Sequence, residues 1–365
     1  MRKFIPRILL VVSALILSAS LSAQTAFERL VEQTGIEAGD VAVRDRPDWR
    51  KPRKIIVRAD LAEAVAEAAA GVDVIAVSSV ADALGYVADA DAVIGYCAQQ
   101  LIDVAQYLQW MQITSAGAER CVGVNGIRNG EVLLTNMQKM SSPVIAEHVT
   151  AMVLALTRGL VPFGKVMETG QWQRRSVITD QMQSIAGKTM LVVGLGGIGT
   201  EVARRAAALE MRVIGTRRSS REGPDFVEYV GLSDELLELA GKADFIVNAL
   251  PITPETSGLF DKEFFAATRR GANFINVGRG KTVVTADLLA ALESGQLAGA
   301  GLDVMDPEPL PSNHPLWQMQ NVIITPHVAG RGGDRFRHTT LIQENVRRFI
   351  AGDALLNVVN PELGY

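Results

Sequence analysis

Apolar residues fall along this chain in two alternating rhythms. Short β-branched runs at Lys54 to Val57, Asp73 to Val77, Ala92 to Gly95 and Met111 to Ile113 read as strands, and between them Leu61 to Ala70 and Leu101 to Leu108 read as helices. Strands alternating with helices of this length predict a parallel sheet with helices on both faces. A long, largely apolar helix follows from Ala146 to near Gly159 and Leu160, and then the alternation resumes. Further strands are expected at Thr189 to Val193, Arg212 to Gly215, Asp244 to Asn248, Asn273 to Val277, Ala300 to Asp303 and Val322 to Thr325. Thr285 would cap a helix at Ala286 to Leu292. The pattern predicts an α/β protein of two doubly wound parallel-sheet domains, whose ligand crevices lie beyond the carboxyl ends of the strands.

The chain is organised around Thr189-Met190-Leu191-Val192-Val193 running into Gly194-Leu195-Gly196-Gly197-Ile198-Gly199, with Ile198, Val202, Ala203, Ala206 and Leu209 at helical spacing behind it. The glycines therefore sit on a strand-to-helix turn. Gly194 would allow the tight turn, Gly196 would let the backbone approach a pyrophosphate, and Gly199 would let helix and strand pack closely. Phosphates would face the helix N-terminus. The competing reading is a glycine turn with a purely structural role.

The N-terminus breaks the pattern. Arg2, Lys3 and Arg7 precede an apolar run from Ile8 to Leu17 and the small-residue stretch Ser18-Ala19-Ser20-Leu21-Ser22-Ala23, the order of a secretory signal peptide. Residues 1–23 are read as that signal, cleaved after Ala23, with an uncleaved membrane anchor as the alternative. Export to the periplasm or beyond is expected, and a cytoplasmic protein if the leader is not functional. Cleavage removes three positive charges and no negative ones, taking the formal net charge from −4 to −7. With no basic block, nucleic acid is not expected as a partner. Residues 24–53 are polar, end in Arg44-Asp45-Arg46-Pro47-Asp48-Trp49-Arg50-Lys51-Pro52, and read as a linker or surface wrap with one short helix near Phe27 to Val31. Cys97 and Cys121 have no metal-site or redox-motif spacing, so a single disulfide and two isolated thiols both stand open.

Three strand ends carry candidate chemistry. Val277 leads into Gly278-Arg279-Gly280, a guanidinium between glycines that would leave room for a ligand against the backbone. Asp303 leads to Val304-Met305-Asp306-Pro307-Glu308-Pro309, and Asp303 would tie down the loop that carries Glu308. Thr325 leads to Pro326-His327. Arg, Glu and His thus reach one rim. The other histidines suit quieter work: His314 in a proline-bearing loop, His338 on a late helix, and His148 at a helix start, where it would pack or cap. The spacing of Asp303, Asp306, Glu308 and His314 fits no standard metal pattern, and no metal is expected.

These motifs in this order, with Thr114-Ser115-Ala116-Gly117, Ala146-Glu147-His148, Leu250-Pro251, Thr253-Pro254-Glu255-Thr256 and Asn357-Val358-Val359-Asn360, resemble the D-isomer-specific 2-hydroxyacid dehydrogenases, of the glyoxylate/hydroxypyruvate reductase kind. The resemblance spans roughly Lys54 to Tyr365. It implies a flavodoxin-like substrate domain of residues 54–141 and 328–365, a Rossmann NAD(P)-binding domain of residues 142–327, and a homodimer, for which the Ala146 to Leu160 helix is a candidate contact unless it is simply core. His327 would give a proton to a 2-keto acid, since imidazole titrates near neutrality, and Glu308 would orient it. Arg279 would grip the substrate carboxylate with its planar fork. Backbone N–H groups of Ser115, Ala116 and Gly117 would complete the carboxylate cradle. Gly194, Gly196, Gly197, Ile198, Gly199, Leu250, Pro251, Thr256, Val277 and Asp303 would line the cofactor.

Where an NAD site carries an acidic residue for the ribose 2′-hydroxyl, about 20 residues past the glycines, this chain reads Thr216-Arg217-Arg218-Ser219-Ser220-Arg221. Arg217, Arg218 and Ser219 suit a 2′-phosphate, so NADP is expected over NAD, with NAD possible and a solvated basic loop as the competing reading. The leader is the second departure, because the family is generally cytoplasmic. A low-turnover dinucleotide-binding sensor or corepressor-like protein is the alternative to a reductase, and intact Arg279, Glu308 and His327 weigh against it.

Overall fold

Ile55, Ile56 and Val57 are fully buried, as are Ala92, Val93 and Ile94, because both faces of their sheet are covered and neither face can be polar. The computed structural model describes residues 25–172, 174 and 176–364. The signal-peptide reading of residues 1–23 lies outside them. The described chain divides into two units: residues up to Met140 together with those from Asp334 onward, and the continuous stretch Ser141–Gly333. Residues 328–333 thus stay with the second unit, and the chain returns to the first at Asp334.

The first unit holds five parallel strands, β1 (Lys54–Arg58), β2 (Asp73–Val77), β3 (Ala92–Ile94), β4 (Trp110–Gln112) and β5 (Leu133–Thr135), in the order β2-β1-β3-β4-β5. That order is the flavodoxin-like one. The helix Arg335–Ala351 packs Leu341, Ile342, Val346 and Phe349 into its core, where the Phe349 ring lies 5.0 Å from that of Trp110. The segment before β1 is part of the first unit rather than a linker, and the short helix expected near Phe27 to Val31 is present. Residues 25–34 form a helix, and Leu30, Ile36 and Val43 are buried in the same core, with Phe27 and Val31 packed against it. Phe27, Leu30 and Val31 recur at the spacing of one helix face, and that face outweighs the polar composition around it. Cys97 and Cys121 are joined by a disulfide that ties the segment after β3 to the segment after β4.

The second unit holds seven parallel strands: β6 (Thr189–Val193), β7 (Arg212–Thr216), β8 (Tyr229–Gly231), β9 (Phe245–Asn248), β10 (Ala272–Asn276), β11 (Leu297–Leu302) and β12 (Val322–Ile324). They lie in the order β12-β11-β10-β9-β6-β7-β8. The first six to appear in sequence follow the Rossmann arrangement, with the reversal of direction between β6 and β9. The helix Ser142–Thr157 buries Ala146, Val149, Met152 and Val153 in this unit's core, so its apolar character is used within the unit. Gly159, at φ +63°, ends it, and a second helix, Leu160–Glu168, begins at once with no buried residue. Thr285 does not cap the helix it begins: Val284 is the N-cap residue, and the Thr285 hydroxyl instead donates to the Asp306 carbonyl at 2.5 Å.

Candidate active site

The carboxyl edge of the second sheet can be read strand by strand. β6 delivers the glycine turn, and its reversal point with β9 is where such folds open a crevice. Gly194 has φ +94°, a conformation glycine enters freely. Its N–H donates to Thr216 Oγ1 at 3.3 Å, and the Leu195 N–H donates to the Thr216 carbonyl at 2.9 Å. A Cβ on Gly199 would collide with the Gly194 carbonyl, whereas one on Gly196 would meet nothing within 4 Å. Gly199 therefore serves packing, and Gly196 leaves open space over the start of the helix Gly197–Ala208, which includes Ile198.

From β9 the chain enters Leu250-Pro251. Leu250 leans over the turn, so that a Cβ on Gly194 would stand 2.9 Å from its side chain. The Thr256 hydroxyl donates to the Pro251 carbonyl at 2.7 Å and closes the loop on itself. From β7 come Arg217, Arg218 and Ser219. Arg217 Nε is buried with no hydrogen-bond partner. Arg221 is differently committed: it pairs with Glu235 at 2.7 Å and donates to the Tyr229 hydroxyl at 2.9 Å. Arg221 above all, then the Leu232 N–H and the Tyr229 hydroxyl, push the Glu235 carboxyl down to about 2. Glu255 also lies below the ordinary carboxylate range, chiefly through a hydrogen bond from Thr253, with the charge of Arg218 adding to it.

The loops after the neighbouring strands β10, β11 and β12 carry the three candidate side chains. His327 Nδ1 lies 2.7 Å from Glu308 Oε1, with both side chains about half exposed. Arg279 is half-buried one strand further along, past Val277, and its Nη1 donates to the Gly278 carbonyl at 2.7 Å. The glycines beside it do not leave room for a ligand. A Cβ on Gly278 would stand 2.6 Å from the Leu250 carbonyl, and one on Gly280 would collide with the Met305 carbonyl. They let three loops nest.

Sequence reasoning gave no role to the polar network beneath these loops. Asn248 Nδ2 donates to Asn276 Oδ1 at 2.8 Å and to Thr282 Oγ1 at 2.7 Å, and Asn276 Oδ1 also accepts from the Gly278 N–H at 3.1 Å. All three side chains are fully buried. Asparagine closing two apolar strands, at Asn248 and Asn276, was the signal available. Asp303 also differs from expectation. It anchors the turn that carries His327, not the loop of Glu308, since its Oδ1 accepts the Val328 N–H at 2.9 Å and its Oδ2 the Ala329 N–H at 3.0 Å.

The other candidates lie elsewhere. Ser115, Ala116 and Gly117 belong to the first unit, just past β4, where Ser115 Oγ donates to the Gly117 carbonyl at 2.8 Å and Asn136 Nδ2 to the Ala116 carbonyl at 2.8 Å. His314 Nδ1 caps the short turn Pro315–Gln318. Among the described residues no three His, Cys, Asp or Glu side chains converge to hold a metal ion.

A Rossmann sheet with a phosphate-type glycine turn at its centre and a histidine–carboxylate pair near an arginine at its rim is the arrangement of a dinucleotide-dependent oxidoreductase. Comparison with known proteins makes the class specific. The family "D-isomer specific 2-hydroxyacid dehydrogenase, NAD binding domain" matches residues 150–329. Glyoxylate reductase of Pyrococcus furiosus is 31% identical over 273 residues, which is 73% of this chain and 80% of that protein. The crystal structure of a D-isomer specific 2-hydroxyacid dehydrogenase from Xanthobacter autotrophicus in complex with NADPH is 30% identical, with TM-score 0.75, and covers 87% of this chain and 100% of that one. An NADPH-dependent glyoxylate/hydroxypyruvate reductase from Sinorhizobium meliloti, bound to NADP and sulfate, is 29% identical with TM-score 0.74, covering 86% and 100%. This chain belongs to the D-isomer-specific 2-hydroxyacid dehydrogenase family.

Proposed function

We propose that this protein is an NADP-dependent reductase of small 2-keto acids of the glyoxylate and hydroxypyruvate type. The observation that carries the reading is the 2.7 Å His327–Glu308 pair, on the loops that follow β12 and β11, with Arg279 just past the next strand, β10. The residues present fit a dinucleotide. Gly196 offers open space at a helix N-terminus, and Arg217 Nε is a buried donor in want of an acceptor, as a 2′-phosphate would provide. With strands about 4.8 Å apart, β10 and β7 are three steps or about 14 Å apart, a span for one elongated ligand rather than a lone small acid. The NADPH-bound relatives support the same choice of cofactor, with NAD possible.

Bound nicotinamide supplies the hydride. Arg279 grips the substrate carboxylate and sets the carbonyl in one orientation. Glu308 accepts a hydrogen bond from His327 Nδ1–H, which leaves the proton on Nε2 of the imidazolium to be passed to the carbonyl oxygen as it becomes a hydroxyl. The deciding experiment follows oxidation of NADPH and NADH by the protein lacking residues 1–23, across a panel of 2-keto acids. Turnover favouring NADPH is expected. Tight dinucleotide binding with no turnover of any acid would replace the reductase with a sensor.

We propose further that the protein is exported and forms a homodimer. Export is supported by the N-terminal charged–apolar–small order and by the Cys97–Cys121 bond, since disulfides persist in oxidising compartments. An exported reductase needs a cofactor that stays bound, and alkaline-phosphatase fusion to the leader tests the location. A homodimer is supported by the helix Leu160–Glu168, which buries none of its side chains, and by exposed Met167, Trp172 and Val177. Sedimentation equilibrium tests it.

A further inference from the structure

His327 occupies a backbone conformation that histidine seldom takes. Its φ is +53°, in the left-handed region where Cβ crowds the backbone. Such a residue persists only where its surroundings over-determine it. What determines it here is Asp303. The Asp303 carbonyl accepts the His327 N–H at 2.8 Å, and its carboxylate accepts the next two N–H groups, those of Val328 and Ala329. Three consecutive donors of the turn thus end on one residue, only 3% exposed.

A carboxylate that aims a turn must itself be aimed. Thr325 Oγ1 donates to Asp303 Oδ1 at 2.6 Å, a length typical of a charged acceptor. His148 Nε2 lies 3.0 Å from the same threonine oxygen. The hydroxyl has one proton, and it goes to Asp303, so the contact with His148 requires that Nε2 carry the hydrogen and donate. His148 stands on the helix Ser142–Thr157, whose neighbouring Ala146, Val149 and Met152 are buried in the core, and so it is held on a rigid element.

We propose that Thr325 and His148 are positioning residues for the proton donor. The chain of bonds from His148 through Thr325 to Asp303, and on to the N–H groups of residues 327–329, holds the imidazole against Glu308. Neither residue touches substrate or cofactor in this scheme. The inference rests on the reductase reading and adds to it residues that the reaction itself does not require.

The test uses NADPH and glyoxylate with the protein lacking residues 1–23. Thr325→Val removes the proton given to Asp303 at nearly constant volume, and Thr325→Ser keeps it. Because a misplacement of about 1 Å costs on the order of 10²-fold in rate, Thr325→Val is expected to lower kcat about 30-fold, with KM for glyoxylate and Kd for NADPH within about twofold. Thr325→Ser stays near the parent. His148→Leu lowers kcat about 5-fold and His148→Gln, which retains a donor, restores it. The double variant H148L/T325V falls no further than T325V, because His148 acts through Thr325. Unchanged kcat in T325V and H148L would overturn the proposal. So would an equal loss in T325S, or a loss shared with NADPH affinity, which would place Asp303 on the cofactor instead. Should T325V fail to fold, the His148 pair decides by the same readout. If the parent turns over no 2-keto acid, the reductase reading fails separately. Amide exchange then judges the positioning: faster exchange at Val328 and Ala329 in H148L but not H148Q upholds it, and unchanged exchange ends it.

Discussion

In the proposed reaction His327 and Glu308 divide one task between an imidazole that gives a proton and a carboxylate that fixes its orientation. His327→Gln keeps a polar side chain but has no proton to give near neutrality. It is expected to lower kcat by about 10²–10⁴-fold, the usual contribution of a general acid, with NADPH affinity within about twofold by fluorescence titration. Arg217 makes a separate prediction. Its buried Nε lacks a partner within the protein, and a charge-assisted bond to a 2′-phosphate is worth about 1.5–3 kcal/mol. Arg217→Ser should therefore weaken NADPH binding about 10–100-fold while leaving NADH nearly unchanged. A variant that loses both cofactors equally would count against the 2′-phosphate role. At this scale the polar residues at strand ends were legible, because an apolar run that stops at Arg279, Glu308 or His327 has few other uses for them. Their support was not. Nothing in the order of residues says that Asp303 meets Val328 and Ala329, or that Gly278 and Gly280 are glycines because Leu250 and Met305 crowd them.

Most strands announced themselves through their apolar runs, even β3, β4 and β12 with three residues each, but two strands and the helix Leu160–Glu168 did not. β5 and β8 are strands because β4 and β7 offer them hydrogen bonds. The short helix near Phe27 to Val31 was legible, but polar composition hid the burial of Leu30, Ile36 and Val43, and the cap expected of Thr285 was lost to a carbonyl of the Asp306 loop that competes for its hydroxyl. The segment from β7 to β8 illustrates how an element is fastened from outside. Glu235 holds Arg221, Tyr229 and the Leu232 N–H together, and its carboxyl sits at about 2 against an ordinary 4.5. A depressed folded-state value stabilises the fold above the unfolded value and loses that contribution as pH falls through the folded one. Glu235→Gln should thus be less stable than the parent near pH 7. The gap between the two in urea unfolding should close as pH drops from about 4.5 toward 2. A gap independent of pH would show that the carboxylate's charge is not what fastens this segment.

The whole molecule is two parallel-sheet units, one of them fastened covalently. The Cys97–Cys121 bond closes a loop of sequence separation 24, which in a chain-entropy account stabilises the first unit by about 3 kcal/mol. Dithiothreitol should lower that unit's urea midpoint accordingly, and the C97S/C121S variant should start low and ignore the reagent. The division into two sheets was legible, because alternating strands and helices dictate it. The route of the chain between them came only from the family resemblance, since no local pattern says that the last helix belongs with the first strands. That route has a consequence for synthesis. Trp110 leaves the ribosome early, but the Phe349 ring that packs 5.0 Å from it comes near the very end. At about 5–20 residues per second, the partners are separated by roughly ten to fifty seconds. The inserted stretch Ser141–Gly333 can close during that interval, while the sheet begun first stays open on the face that the helix Arg335–Ala351 will cover. The earliest part of the chain to be made is the last to be finished, and a nascent chain stalled before Arg335 would offer chaperones a completed second unit beside an apolar, unroofed first one.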